Sequence, residues 1–143
     1  MLFRSNTIRI PVASAFHSSI VAGSCEPFHD YLASIGWGDA SIDVYANASA
    51  APYPAEVGEA CRLLADQLAS QVRFREMIEA MYEAGFTRFV EVGPGRVLTK
   101  LVSRCLGGRP HLAVALDDKG GRGLRALWRG LGRLFHQIGR AHV

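Results

Sequence analysis

Cysteine is scarce in this sequence, and long apolar runs are missing. Cys25, Cys61 and Cys105 are odd in number and far apart, with no C-x-x-C pair. That argues against a disulfide framework and fits reduced, mostly buried thiols in a cytosolic protein. No apolar stretch reaches the roughly 18 residues needed to cross a bilayer, and the N-terminus lacks the apolar core of a secretory signal. The expectation is a cytoplasmic chain with no membrane partner. A strong charge of either sign is also lacking, since the net charge is +3. The basic excess gathers late, at Arg122, Arg125, Arg129, Arg133 and Arg140. Nucleic-acid binding would need aromatic or motif support, which is missing, so this reads as a solvated face. None of His29, His111, His136 and His142 has metal-ligand spacing to His17, so no metal site is expected. No internal repeat or low-complexity tract is visible. What remains is 143 residues, 49% apolar and 20% charged, suited to one globular α/β unit.

Ile8 to Val12 reads as a strand, placed at an edge or a strand end by Pro11. A loop with Ala15, Phe16, His17 and Ser18 follows. Pro27 suits the first turn of a helix in which Phe28, Tyr31, Leu32 and Ile35 share a face, ended by Gly36 and Gly38. Ile42 to Ala46 reads as a buried strand and Asn47 to Pro54 as a turn-rich loop. Two amphipathic helices come next. The first spans Glu56 to Leu68, with Val57, Ala60, Cys61, Leu64 and Leu68 on one face. The second runs from about Arg73 to Ala84 with Phe74, Met77, Ile78, Met81 and Tyr82 as its stripe, capped by Gly85. Arg88 to Val92 is a strand, followed by Gly93-Pro-Gly95 and a helix starting at Val97. Leu112 to Leu116 is a further strand, and Asp117 to Gly123 a connector. Leu124, Leu127, Trp128, Leu131, Leu134 and Phe135 form a last amphipathic helix that docks back on its domain. Alternating strands and helices predict a mostly parallel sheet, and the unbroken apolar strands fit a sheet covered on both faces.

Two features could carry chemistry. In Ser14-Ala-Phe-His-Ser18 a histidine lies between an aromatic and a hydroxyl just after a strand. Its ordinary titration range suits proton transfer at neutral pH, although a lone loop histidine is more often structural. In Val90-Glu-Val-Gly-Pro-Gly-Arg-Val-Leu98 a strand turns through glycines into a helix. Such a turn can hold phosphate on free N–H groups. It matches neither G-x-G-x-x-G nor G-x-x-x-x-G-K-[ST], and spacing alone favours a tight turn that needs glycine's backbone freedom.

Together these pieces resemble a known family. Arg9-Ile-Pro-Val-Ala-Ser-Ala-Phe-His-Ser18 is similar to the histidine motif of malonyl-CoA:acyl carrier protein transacylases and polyketide synthase acyltransferase domains. Val44-Tyr-Ala-Asn47 resembles their next strand and its asparagine. Leu64-Ala-Asp-Gln-Leu-Ala-Ser-Gln-Val-Arg-Phe74 resembles their glutamine-containing helix end. Phe89-Val-Glu-Val-Gly-Pro-Gly-Arg-Val-Leu98 resembles their C-terminal signature. The likeness covers nearly all of residues 8 to 118 and points to the C-terminal part of a type I polyketide synthase acyltransferase domain.

The resemblance implies an α/β fold, here an incomplete three-layer, mostly parallel sheet preceded by the last strand of a small ferredoxin-like subdomain. It implies ping-pong transfer of a malonyl-type group from coenzyme A, through a serine acyl-enzyme, to the phosphopantetheine thiol of an acyl carrier protein. No cofactor is implied. The partners are the carrier protein and other domains of the parent synthase. His17 falls on the general base, and Gln67 on the residue whose main chain orients it. Asn47 supports the same loop, and Phe16 is tied to acyl selectivity, with Ala-Phe-His in the malonyl form. Ser19 replaces a proline common after His-Ser. The G-x-S-x-G elbow is absent, as are the carboxylate-binding arginine and the oxyanion segment, so the chain alone is expected to be inactive and poorly soluble. Residues 1 to 5 and 138 to 143 read as translated sequencing-adapter ends, which leaves 6 to 118 as the acyltransferase part and 119 to 137 as the start of the linker after it. Two other readings are a non-catalytic module that docks a carrier protein and a nucleotide-binding module built on Gly93 to Gly95.

Overall fold

The computed structural model describes residues 14–117 and 123–140, with side chains through residue 136. The expected strand at Ile8 to Val12, and with it the ferredoxin-like strand, lies outside these residues. The chain divides into two compact units, residues 1–72 and 73–143.

The first unit opens with a 3-10 turn over Ser19–Ser24 that leads into α1, Cys25–Ser34. Pro27 lies in the first turn of α1, where its missing N–H costs nothing. Helix α1 packs against α2, Val57–Asp66, around Leu32, Cys61 and Ala65, with Phe28 and Leu64 partly buried beside them. Small residues on α2 let the two backbones approach, and Arg62 closes the contact with a two-pronged pair to Glu26 at 2.6 and 3.3 Å. Glu56 caps α2, accepting hydrogen bonds from the N–H groups of Gly58 and Glu59, which occupies two donors left over at a helix start. Those two bonds hold its carboxyl below the ordinary carboxylate range.

Four expectations for this unit are corrected. Ile35 lies past the end of α1 in an extended conformation, and Tyr31 is exposed. The buried strand expected over Ile42 to Ala46 shrinks to β1, Tyr45–Ala46. Ile42 is 77% exposed and Val44 51%, because among the described residues nothing pairs alongside 42–44 except Tyr53, whose N–H reaches the Val44 carbonyl at 2.8 Å. The loop after it is half strand: β2, Ala51–Pro52, pairs antiparallel with β1. Leu68, given to the α2 face, lies beyond that helix.

The second unit is a parallel α/β arrangement. Helix α3 spans Phe74–Glu83, β3 Arg88–Glu91, α4 Val97–Leu106, β4 Leu112–Ala115 and α5 Gly123–Arg140. Strands β3 and β4 pair in parallel, Arg88 opposite Leu112 and Glu91 opposite Ala115. The apolar stripe of α3 holds, with Met77 and Ile78 buried; Val102, Leu106, Ala113, Val114 and Ala126 are buried in the same unit. Tyr82 ties α3 to the approach of β4 by donating to the Pro110 carbonyl at 3.2 Å, and the Arg109 guanidinium lies 4.8 Å above its ring. The fold is therefore α/β with a small parallel sheet. The expected cover on both faces is found at β4, where Ala113 and Val114 are buried, but not at β3, where exposed and half-buried residues alternate and Val90 is 42% exposed. The unanticipated antiparallel element is the β1–β2 hairpin. No helix among the described residues is long and apolar enough to cross a membrane.

Candidate active site

Helix α2 ends at Asp66, and the carbonyls that follow have no helical partner. His17 fills that end. Its N–H donates to the Leu68 carbonyl at 2.7 Å, and its Nδ1 lies 3.0 Å from the Gln67 carbonyl and 3.1 Å from that of Ser70. A carbonyl oxygen only accepts, so Nδ1 carries the proton of the neutral ring. The Gln67 side-chain amide, 3.5 Å from Nδ1, cannot donate to a protonated nitrogen. It is directed to the Ser70 carbonyl at 3.4 Å instead. Nε2 is then the ring position with a lone pair, and the ring is exposed. An imidazolium formed there would face the negative end of the α2 dipole.

The approach to this geometry is strained. His17 has φ +61°, a left-handed conformation uncommon outside glycine. Ser18 stabilises the turn on either side: its hydroxyl donates to the Ala15 carbonyl at 2.6 Å and accepts from the Ile20 N–H at 3.4 Å. Phe16, next to the histidine, is 54% exposed. Asn47 sits in the β1–β2 turn. Among the described residues no hydrogen bond joins it to the His17 loop, and its Oδ1 is buried without a partner, as is Oε1 of Gln67.

Glu26, His29 and Asp30 present ligand atoms within 4.8 Å of one another on α1. The Arg62 guanidinium takes both Glu26 oxygens and holds that carboxyl below its ordinary range, by hydrogen bond first and by charge second. That leaves Glu26 little to offer a cation.

The second sequence feature resolves differently. The turn Gly93-Pro-Gly95 needs glycine at its end, where Gly95 has φ +95°. It folds the start of α4 back onto the end of β3. There the Glu91 carboxylate accepts from the Leu98 N–H at 3.1 Å, and from the Thr99 N–H and hydroxyl, both at 2.7 Å. Burial raises the Glu91 pKa, but the bonds from Thr99, Leu98 and Val97 outweigh it and the net shift is downward. The Leu98 and Thr99 N–H groups at the start of α4 are thus taken by the chain's own carboxylate, which argues against the nucleotide-binding reading of Gly93 to Gly95.

The fold aligns with a solved malonyl CoA-acyl carrier protein transacylase from Clostridium perfringens at a TM-score of 0.80 and 27% identity, over 95% of this chain and 40% of that one. In sequence, 111 residues are 35% identical to the malonyl CoA-acyl carrier protein transacylase of Bacillus subtilis, covering 78% of this chain and 34% of that protein. The chain belongs to this acyltransferase family. A polyketide-biosynthesis member, the malonyl CoA-acyl carrier protein transacylase BaeC of Bacillus velezensis, is 38% identical over 93 residues, covering 65% of this chain and 32% of that protein. No protein-family model matches the chain. The chain spans about a third of the length of the curated transacylases it matches, consistent with the C-terminal part of the fold.

Sequence reasoning placed His17 and Gln67 at one candidate site, and the structure brings the two together. It missed the carbonyls of Leu68 and Ser70, since main-chain acceptors leave no mark in a residue pattern. It also missed the capping role of Glu91, for which an acidic residue ending a strand seven positions before Leu98 was the available signal.

Proposed function

We propose that this chain supplies the general base of an acyl transfer, in which a malonyl-type group passes from coenzyme A to an acyl carrier protein through a serine acyl-enzyme. The observation that carries it is Nδ1 of His17, held 3.0 Å from the Gln67 carbonyl, which leaves Nε2 free to act. Homologues that are malonyl-CoA–acyl carrier protein transacylases of polyketide and fatty acid synthesis support the same reading. In the first half-reaction Nε2 takes the serine proton as the hydroxyl oxygen attacks the thioester carbon. The carbon–sulfur bond then breaks, and the coenzyme A sulfur leaves with the proton from the imidazolium. In the second, Nε2 deprotonates the carrier's phosphopantetheine thiol, whose sulfur displaces the serine oxygen, and the proton returns to serine. Gln67 and Ser70 act through the backbone, holding the ring by its Nδ1. Asn47 supports the loop, and Phe16 borders the acyl group and favours malonyl. No group outside the chain is required as cofactor. The reaction belongs in the cytoplasm. Residues 6 to 118 form the acyltransferase part and 119 to 137 the start of the linker.

The serine stands in a G-x-S-x-G elbow that this sequence does not contain, so the isolated chain is inactive in the proposed scheme. The test is a chimaera in which residues 14–117 replace the matching segment of the Bacillus subtilis transacylase. Malonyl transfer to a holo-carrier protein is expected, and His17→Ala should lower it on the order of 10²- to 10⁴-fold with the thermal melt retained. A chimaera that keeps its rate after His17→Ala sinks the proposal, as does stoichiometric acylation of the isolated chain by radiolabelled malonyl-CoA.

A further inference from the structure

A cavity of about 180 Å³ lies in the second unit. It opens at the carboxyl end of β4. Arg96 and Thr99 from the start of α4, Asp117 just after β4, and Arg129, Gly130 and Arg133 from α5 line it. The carboxyl ends of parallel strands are where open α/β sheets take ligands, because helices and loops diverge there and leave a crevice.

Three guanidiniums and one carboxylate border this crevice, a formal net charge of +2. Among the described residues none of the three guanidiniums has an ion pair or hydrogen-bond partner. Arg129 and Arg133 are four residues apart, so they stand one above the other on α5 and repel. No acidic residue occurs anywhere along α5 to relieve this. Gly130, between them, sets how close the helix comes. A Cβ at that position would fall 2.7 Å from Cδ2 of Leu116 and 3.0 Å from the Ala115 carbonyl oxygen. Only glycine lets α5 press onto the strand end, and that approach carries the two arginines to the rim of the cavity. The hydroxyl of Thr99 and the N–H groups at the start of α4 are held by Glu91, so recognition falls to the arginines.

We propose that this cavity binds a small phosphate-bearing anion of the diphosphate class, gripped by Arg96, Arg129 and Arg133. Guanidinium forks match phosphate oxygens two at a time. A diphosphate offers enough oxygens to engage more than one fork, and its charge exceeds the +2 of the site. The carboxylate of Asp117 disfavours weakly charged anions. The site is independent of His17 and stands or falls apart from the acyl-transfer reading.

The test is calorimetric titration of the full chain with inorganic pyrophosphate at fixed ionic strength, with inorganic phosphate and succinate as comparison anions. One pyrophosphate per chain is expected, with binding at least tenfold weaker for phosphate and for succinate. Arg129→Gln and Arg96→Gln should each weaken it at least tenfold. Arg96 immediately precedes α4 and Arg129 lies on α5, and both are exposed, so one variant reads the site if the other fails to fold. Arg75→Gln, a surface arginine already paired with Glu79, should leave binding unchanged. The proposal is overturned by an absence of saturable binding, by wild-type affinity in both site variants, by an equal loss in Arg75→Gln, or by succinate binding as tightly as pyrophosphate.

Discussion

At position 17 a histidine occupies backbone space that favours glycine, with φ +61°. The left-handed region costs an L-residue about 1 kcal/mol, and three main-chain carbonyls beyond α2 offset this by accepting from the residue's N–H and Nδ1. Backbone strain held in place by its surroundings is a recurrent feature of functional sites. The same contacts fix the tautomer. Long-range ¹H–¹⁵N spectra of the neutral protein should show His17 protonated at Nδ1, with the Nε2 resonance in the unprotonated range. The opposite tautomer would remove Nε2 as the proton acceptor. The histidine itself was legible from Ala-Phe-His-Ser. Its tautomer was not, because the partners are carbonyls that every residue type carries.

At the scale of the element, two helix starts among the described residues, those of α2 and α4, are settled by where their first N–H groups go. Glu56 caps α2 from the adjacent position, whereas Glu91 caps α4 from the end of the preceding strand. Glu91→Ala should destabilise the second unit by about 1 kcal/mol at pH 7, read from urea melts. The sign of its pH dependence follows from the lowered pKa. A carboxyl that titrates below its unfolded value of 4.5 contributes stability that is complete above pH 4.5 and lost as the pH falls through the folded value. The difference between Glu91→Ala and the parent should therefore narrow on acidification, and a difference that widens contradicts the assignment. Periodicity found α3 and α4 well because their apolar stripes meet real partners. It overextended the strand at Ile42 to Ala46 because apolar residues form a strand only where another chain segment pairs with them.

Across the whole molecule, much apolar surface stays uncovered. Among the described residues β3 pairs only with β4, leaving one edge of each strand open, and Val92 at the end of β3 is 83% exposed. On α5, Leu124, Trp128 and Phe135 are exposed as well, with Trp128 at 69%. Open edges beside apolar residues favour pairing between chains. Val92→Lys should reduce light scattering at a given concentration while changing stability by no more than about 0.5 kcal/mol, and unchanged scattering would remove the edge as its source. The sequence by itself determined the α/β class, which rests on local apolar periods, and its four motifs, by their resemblance to a known family, pointed to the family and to His17 and Gln67 as candidate site residues. Only the tertiary structure decided the tautomer of His17, the filling of the α4 start by Glu91 and the gathering of Arg96, Arg129 and Arg133 at one strand end. Each of these depends on main-chain groups or on residues far apart in sequence, whose meeting is fixed by how helices pack and not by the order of the residues.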